Sequence, residues 1–132
     1  MTFSLFEATA PTICRVSAVG GFLEKSRTYF QEKGVDLAEV VETRLTADML
    51  PLRFQIVSVA HHSRGAMEAA KNGVFEPPSG KPDLDFPALQ RLVTDASNEL
   101  AKITPEVVNA LIGRDVTFKL GTALFRLQWK AS

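Results

Sequence analysis

The chain has 132 residues, enough to bury one hydrophobic core, and is read as a single domain over 1–132. Fifteen basic residues balance fifteen acidic ones with no block of like sign, so no overall field recruits nucleic acid or an anionic lipid surface. The lone Cys14 excludes an intrachain disulfide, the N-terminus lacks a signal-peptide pattern, and no uncharged run approaches the roughly 18 residues that span a bilayer. The expectation is a soluble, cytoplasmic protein.

A first helix is expected from Thr9 or Ala10, with Pro11 in its first turn, where a missing N–H costs nothing. Ile13, Val16, Val19, Gly20, Leu23 and Phe30 form one apolar stripe at helical spacing, and Gly34 is the natural stop. The Gly20-Gly21 pair inside it costs about 1 kcal/mol per residue in helix propensity; close helix packing is the plain reason to keep it and a kink is the alternative. Asp36 caps a short helix, with Glu39 completing a capping-box pattern and Leu37, Val40 and Val41 facing inward. Pro51 opens a second long helix that runs to about Lys71 and stops at Asn72-Gly73.

That second helix is not simply amphipathic. Leu52, Ile56, Val59, Ser63, Ala66, Met67 and Ala70 project onto one narrow face, while Phe54, Val57 and His61 lie roughly opposite. Two apolar sides imply two coverings, and Phe54, Val57 and His61 are the candidate contact with a partner subunit. A Pro/Gly-rich loop spans Glu76 to Asp85. Asp85 caps a third helix with Pro87 in its first turn, and Leu89, Leu92, Val93, Ala96, Leu100 and Ile103 form the cleanest stripe in the chain. Thr104-Pro105 caps one or two further turns through Leu111. From Asp115 the period changes to two: Val116, Phe118 and Leu120, then Phe125, Leu127 and Trp129 after Gly121-Thr122, read as a β-hairpin.

One string stands apart: Arg44-Leu45-x-x-Asp48-Met49-x-Pro51-Leu52, followed by His62-x-x-Gly65. It resembles the domain-of-unknown-function family numbered nineteen ninety-three, in the broader DinB-like group of four-helix bundles. Arg15 on the first helix, Gly34 to Asp36, the loop after Gly73 and the hairpin at Gly121 fall in a similar order, so the resemblance covers roughly Phe3 to Leu127. It implies a mostly α, up-and-down bundle of three long helices and short ones with a C-terminal hairpin. It also implies a fourth long helix after the hairpin, and the expectation is that this helix is missing here. Baring several hundred Å² of apolar surface costs on the order of 10 kcal/mol, comparable to the whole stability of a small domain. That burial is recovered by self-association or by docking of the chain's own tail and hairpin across the gap, and a homodimer is expected.

The only histidines, His61 and His62, are adjacent, and adjacent helical residues point about 100° apart, so they do not readily chelate one ion. The resemblance implies that His62 is a divalent-metal ligand joined by others from the last helix; here only another chain or a carboxylate such as Asp48 would complete the three protein ligands usually needed. A hydrogen-bonded boundary histidine is the plain alternative. Arg44 and Asp48 share the loop before the second helix, where they form an ion pair, cap that helix or, with His62, border a ligand cleft. Cys14 reads as a packing residue near a helix start. No phosphate-binding loop, dinucleotide fingerprint, H-E-x-x-H, C-x-x-C or nucleophile-elbow string is present. Three functions follow: a self-associating bundle without catalysis, a small-molecule binding module using the cleft near His62, and, by resemblance alone, a metal-dependent hydrolase or thiol-transferase.

Overall fold

The computed structural model describes residues 4–13, 15–78 and 83–128, and of residues 12 and 13 the backbone only. Cys14, Trp129 and the middle of the Pro/Gly-rich loop lie outside the described residues, as does the Ile13 side chain. The helices are α1 (Leu5–Ile13), α2 (Val16–Glu32), α3 (Leu37–Val41), α4 (Leu52–Ala60), α5 (Ala66–Asn72), α6 (Phe86–Ala101) and α7 (Pro105–Asn109). A π-helical turn, His61–Gly65, joins α4 to α5. The strands are β1 (Val74–Phe75), β2 (Asp115–Leu120) and β3 (Ala123–Gln128). The molecule is mostly helical with a small C-terminal sheet, as the sequence pattern implies.

The core forms around α6. Asp85 accepts from the Ala88 N–H at 2.9 Å and Pro87 occupies the first turn, so the start of α6 is fixed by its own sequence. Its apolar line then buries Phe86, Leu89, Val93, Ala96 and Leu100. Val16 and Leu23 of α2, Val40 and Val41 of α3, and Ile56 and Ala60 of α4 complete the same cluster. A Cβ built on Gly20 would meet Val93 Cγ1 at 3.7 Å, an ordinary contact, and one on Gly21 would meet nothing within 4 Å. Neither glycine is demanded by helix packing.

The first helix departs from expectation. It is two helices, and Pro11 lies inside α1 instead of opening it. The missed signal is Ser4-Leu5-Phe6-Glu7, a capping-box string in which the Ser4 hydroxyl accepts from the Glu7 N–H at 3.3 Å. Pro11 removes a donor from the turn above Glu7, and the helix ends two residues later. α1 then packs against α7 instead of extending α2. Asn109 Oδ1 accepts from the Phe6 N–H at 3.1 Å and so satisfies one of the open amides of the first turn.

The sheet is larger than a hairpin. β2 and β3 pair antiparallel, Val116 opposite Leu127 and Phe118 opposite Phe125. β1 adds in parallel, with Val74 beside Thr117 and Phe75 beside Phe118. Gly73 makes this possible: it ends α5 at φ 84°, a left-handed conformation that side chains resist, and its carbonyl accepts from the Thr117 N–H at 2.8 Å. The sheet thus starts on the residue that stops the helix.

Leu89→Ala removes a fully buried side chain and is expected to cost about 2–5 kcal/mol in urea unfolding. Leu45→Ala, at a side chain 85% exposed, should change stability by less than about 0.5 kcal/mol. Gly21→Ala should stabilise by about 1 kcal/mol, because the new methyl meets no neighbour and helix propensity improves.

Candidate functional site

The segment Leu52–Asn72 runs as one rod interrupted by its π turn. Widening a helical turn disturbs the regular N–H to carbonyl alignment beside it, and such turns recur at functional sites. Side chains make up the difference here. The Ser63 hydroxyl donates to the Val59 carbonyl at 2.6 Å and approaches the Ala60 carbonyl at 3.2 Å. His62 Nδ1 donates to the Ser58 carbonyl at 2.8 Å. That bond selects the tautomer: in the neutral ring the proton sits on Nδ1, so Nε2 carries the lone pair. His61 faces β1, where its Nε2 donates to the Glu76 carbonyl and its ring lies 5.0 Å from that of Phe75.

Phe75 links the two histidines to the sheet. Its ring centroid is 5.6 Å from that of His62 and 5.7 Å from that of Phe118, which it stacks at 16°. Phe118 in turn lies 6.3 Å from Phe125 across the β2–β3 ladder. Strand alternation puts Val116, Phe118, Phe125 and Leu127 on one face of the sheet, and that face is only partly covered.

An apolar cavity of about 600 Å³ opens beside this face. Ala66, Met67 and Ala70 form one wall, Leu5, Val108 and Leu111 a second, and Phe75, Val116, Phe118 and Leu127 a third. The polar residues on its lining are Thr9, His62, Arg114 and Gln128. Ala69, Val108 and Leu111 are buried here, outside the cluster around α6.

Of the residues singled out in the sequence, His62 is on this cavity. Arg44 and Asp48 are not on its lining: Arg44 donates to the Met49 carbonyl at 3.2 Å, and Asp48 accepts from the Thr46 hydroxyl at 2.6 Å. Each therefore fixes the loop through a different neighbour. Val57 packs against the core cluster, His61 is held under β1, and Phe54 is half-buried. The second apolar side of this rod is met at His61 by the chain's own sheet. Arg114 and Phe75 were not singled out, and Val116, Phe118 and Leu127 were named only as strand positions of the hairpin. Their signal was the hairpin itself, whose apolar alternation needed a covering that the helical stripes did not supply.

The implied divalent metal needs about three protein donors. His62 Nε2 is a suitable donor, but among the described residues no carboxylate, cysteine or second histidine shares the cavity lining. Among the described residues no three His, Cys, Asp or Glu side chains come together. These residues do not by themselves fit a divalent ion.

The Thr46 hydroxyl, helped by the backbone N–H of Asp48, holds the Asp48 carboxyl below its ordinary range. A lowered carboxyl contributes stability above its unfolded-state pKa and loses it as pH falls through the folded value. Thr46→Val is expected to move the Asp48 midpoint upward, toward the ordinary carboxylate range, in a carbon-detected NMR titration. An unchanged midpoint would remove the hydroxyl as the cause.

Among the described residues no helix is long and apolar enough to cross a membrane. No curated protein and no solved structure matches the chain. One family model does, over residues 5–132, nearly the whole length, and it is described as a domain of unknown function (DUF1993). The chain belongs to that family.

Proposed function

We propose that the protein is a small-molecule binding module whose ligand occupies the cavity beside His62. The observation that carries this reading is the cavity: about 600 Å³, walled by aliphatic and aromatic side chains, with a few polar groups on its border. Small-molecule sites have this size and this make-up, because apolar walls supply affinity and sparse polar groups supply orientation. His62 is suited to orientation. Its ring is fixed through Nδ1, which leaves Nε2 to accept a hydrogen bond from a ligand. Among the described residues the hydroxyl on this lining is that of Thr9, which donates to the Leu5 carbonyl at 2.9 Å, so the hydrolase or thiol-transferase alternative gains no support from it.

A second reading, self-association, is favoured by β3. Among the described residues it is the outer strand of the sheet, and no strand lies beside one row of its backbone groups. Leu124, Phe125 and Leu127 are 65%, 51% and 57% exposed. A second copy adding its own β3 antiparallel would meet both needs.

The neutral dye N-phenylnaphthylamine should brighten on binding with a micromolar dissociation constant, and Ala66→Phe, which fills the cavity, should abolish the signal while far-ultraviolet circular dichroism stays unchanged. No brightening with the folded wild-type protein would overturn the binding reading. Light scattering after size exclusion tests the second reading: a dimer is expected, reduced to a monomer by Leu124→Lys, and a wild-type monomer at every concentration would defeat it.

A further inference from the structure

Resting on the binding reading, we infer that the cavity takes an amphiphilic monoanion, an apolar tail carrying one carboxylate, with the head group held by Arg114. The charge distribution around the cavity carries this. Among the described residues Arg114 supplies the guanidinium on the lining, and no aspartate or glutamate shares it. The acid next to it in sequence, Asp115, is taken by Arg126 of β3. Among the described residues no carboxylate forms an ion pair with Arg114. An uncompensated guanidinium at the edge of an otherwise greasy space selects for an anion, and its planar fork matches a carboxylate.

The backbone around Arg114 is held in place. Its N–H donates to the Leu111 carbonyl at 3.1 Å, and Gln128 Nε2 donates to the carbonyl of the preceding Gly113 at 3.1 Å. The end of β3 is thereby pinned to the turn that presents the cation. Arg114 is exposed, whereas Leu111, Phe118 and Met67 lie deeper on the same lining. A ligand that leaves its charge at the water boundary and inserts its tail fits both regions. Burying the charge would incur a desolvation cost that this arrangement avoids.

Octanoate and octanol, which share a tail and differ in head group, are compared as competitors of N-phenylnaphthylamine, with the wild-type protein and with Arg114→Gln and Arg114→Lys. Arg114→Gln should weaken octanoate about five- to ten-fold and leave octanol unchanged, the size of one charge-assisted hydrogen bond at a wet boundary. Arg114→Lys should recover part of the loss. Added salt should weaken octanoate and not octanol. An octanoate-to-octanol ratio that is the same in wild type and Arg114→Gln would overturn this inference while leaving the binding reading intact. A folded protein that fails to bind the dye would overturn both.

Discussion

The structure depends on the burial of one helix face. Phe86, Leu89, Val93 and Ala96 of α6 are essentially inaccessible to water, and α2, α3 and α4 all pack on α6. A helix of this length gains little from its own hydrogen bonds in water, so it persists because its apolar stripe is covered. The same burial sets the positions of the other elements. α2 approaches α6 at Gly20, and α4 approaches through Ile56 and Ala60. The ion pairs are secondary. Arg53 joins Glu42 and Asp83, tying the start of α4 to the end of α3 and to the segment before α6, but both acids are largely exposed and water weakens such pairs.

The π turn carries the rod from the helical scaffold to the sheet. Upstream of it the rod serves the core through Ile56 and Ala60. Downstream, α5 lies on the sheet and buries Ala69 there. A straight continuation would have kept a single apolar face, so the wider turn is where the rod changes partners. His61 and His62 sit at that change and are divided by it. His61 turns toward β1 through Glu76 and Phe75, while His62, bonded to the Ser58 carbonyl, borders the cavity.

The helical half of the molecule was legible in the sequence because its signals are local. Asp36, Asp85 and Thr104 cap the helices they were expected to cap, each through its own side-chain oxygen. The α6 stripe is buried as its spacing requires. The errors arise where the physics is non-local or breaks a period. β1 has two residues, too few for an alternation, and it exists because Gly73 hands its carbonyl to Thr117 far along the chain. The π turn has no pattern at 100° per residue, since it departs from that geometry. The break after α1 was hidden because Pro11 was read as a helix start, although Ser4 and Glu7 already carried a capping signal. As for the candidate site, His62 was legible as an unusual residue at the edge of a stripe. The cavity was not, since its walls come from α1, α5, α7 and the sheet together.

The parallel pairing of β1 with β2 has a kinetic consequence. Its two strands are separated in sequence by the whole of α6 and α7, so the sheet closes only after a long stretch of chain has been ordered. Ala69, Val108 and Leu111 are buried outside the cluster around α6. Regions buried apart from the main cluster can exchange with solvent by their own openings. Amide hydrogens of the strands should trade for deuterium by a shallower opening than those of α6, so the compartment next to His62 can gape and reseal while the helical scaffold stays shut.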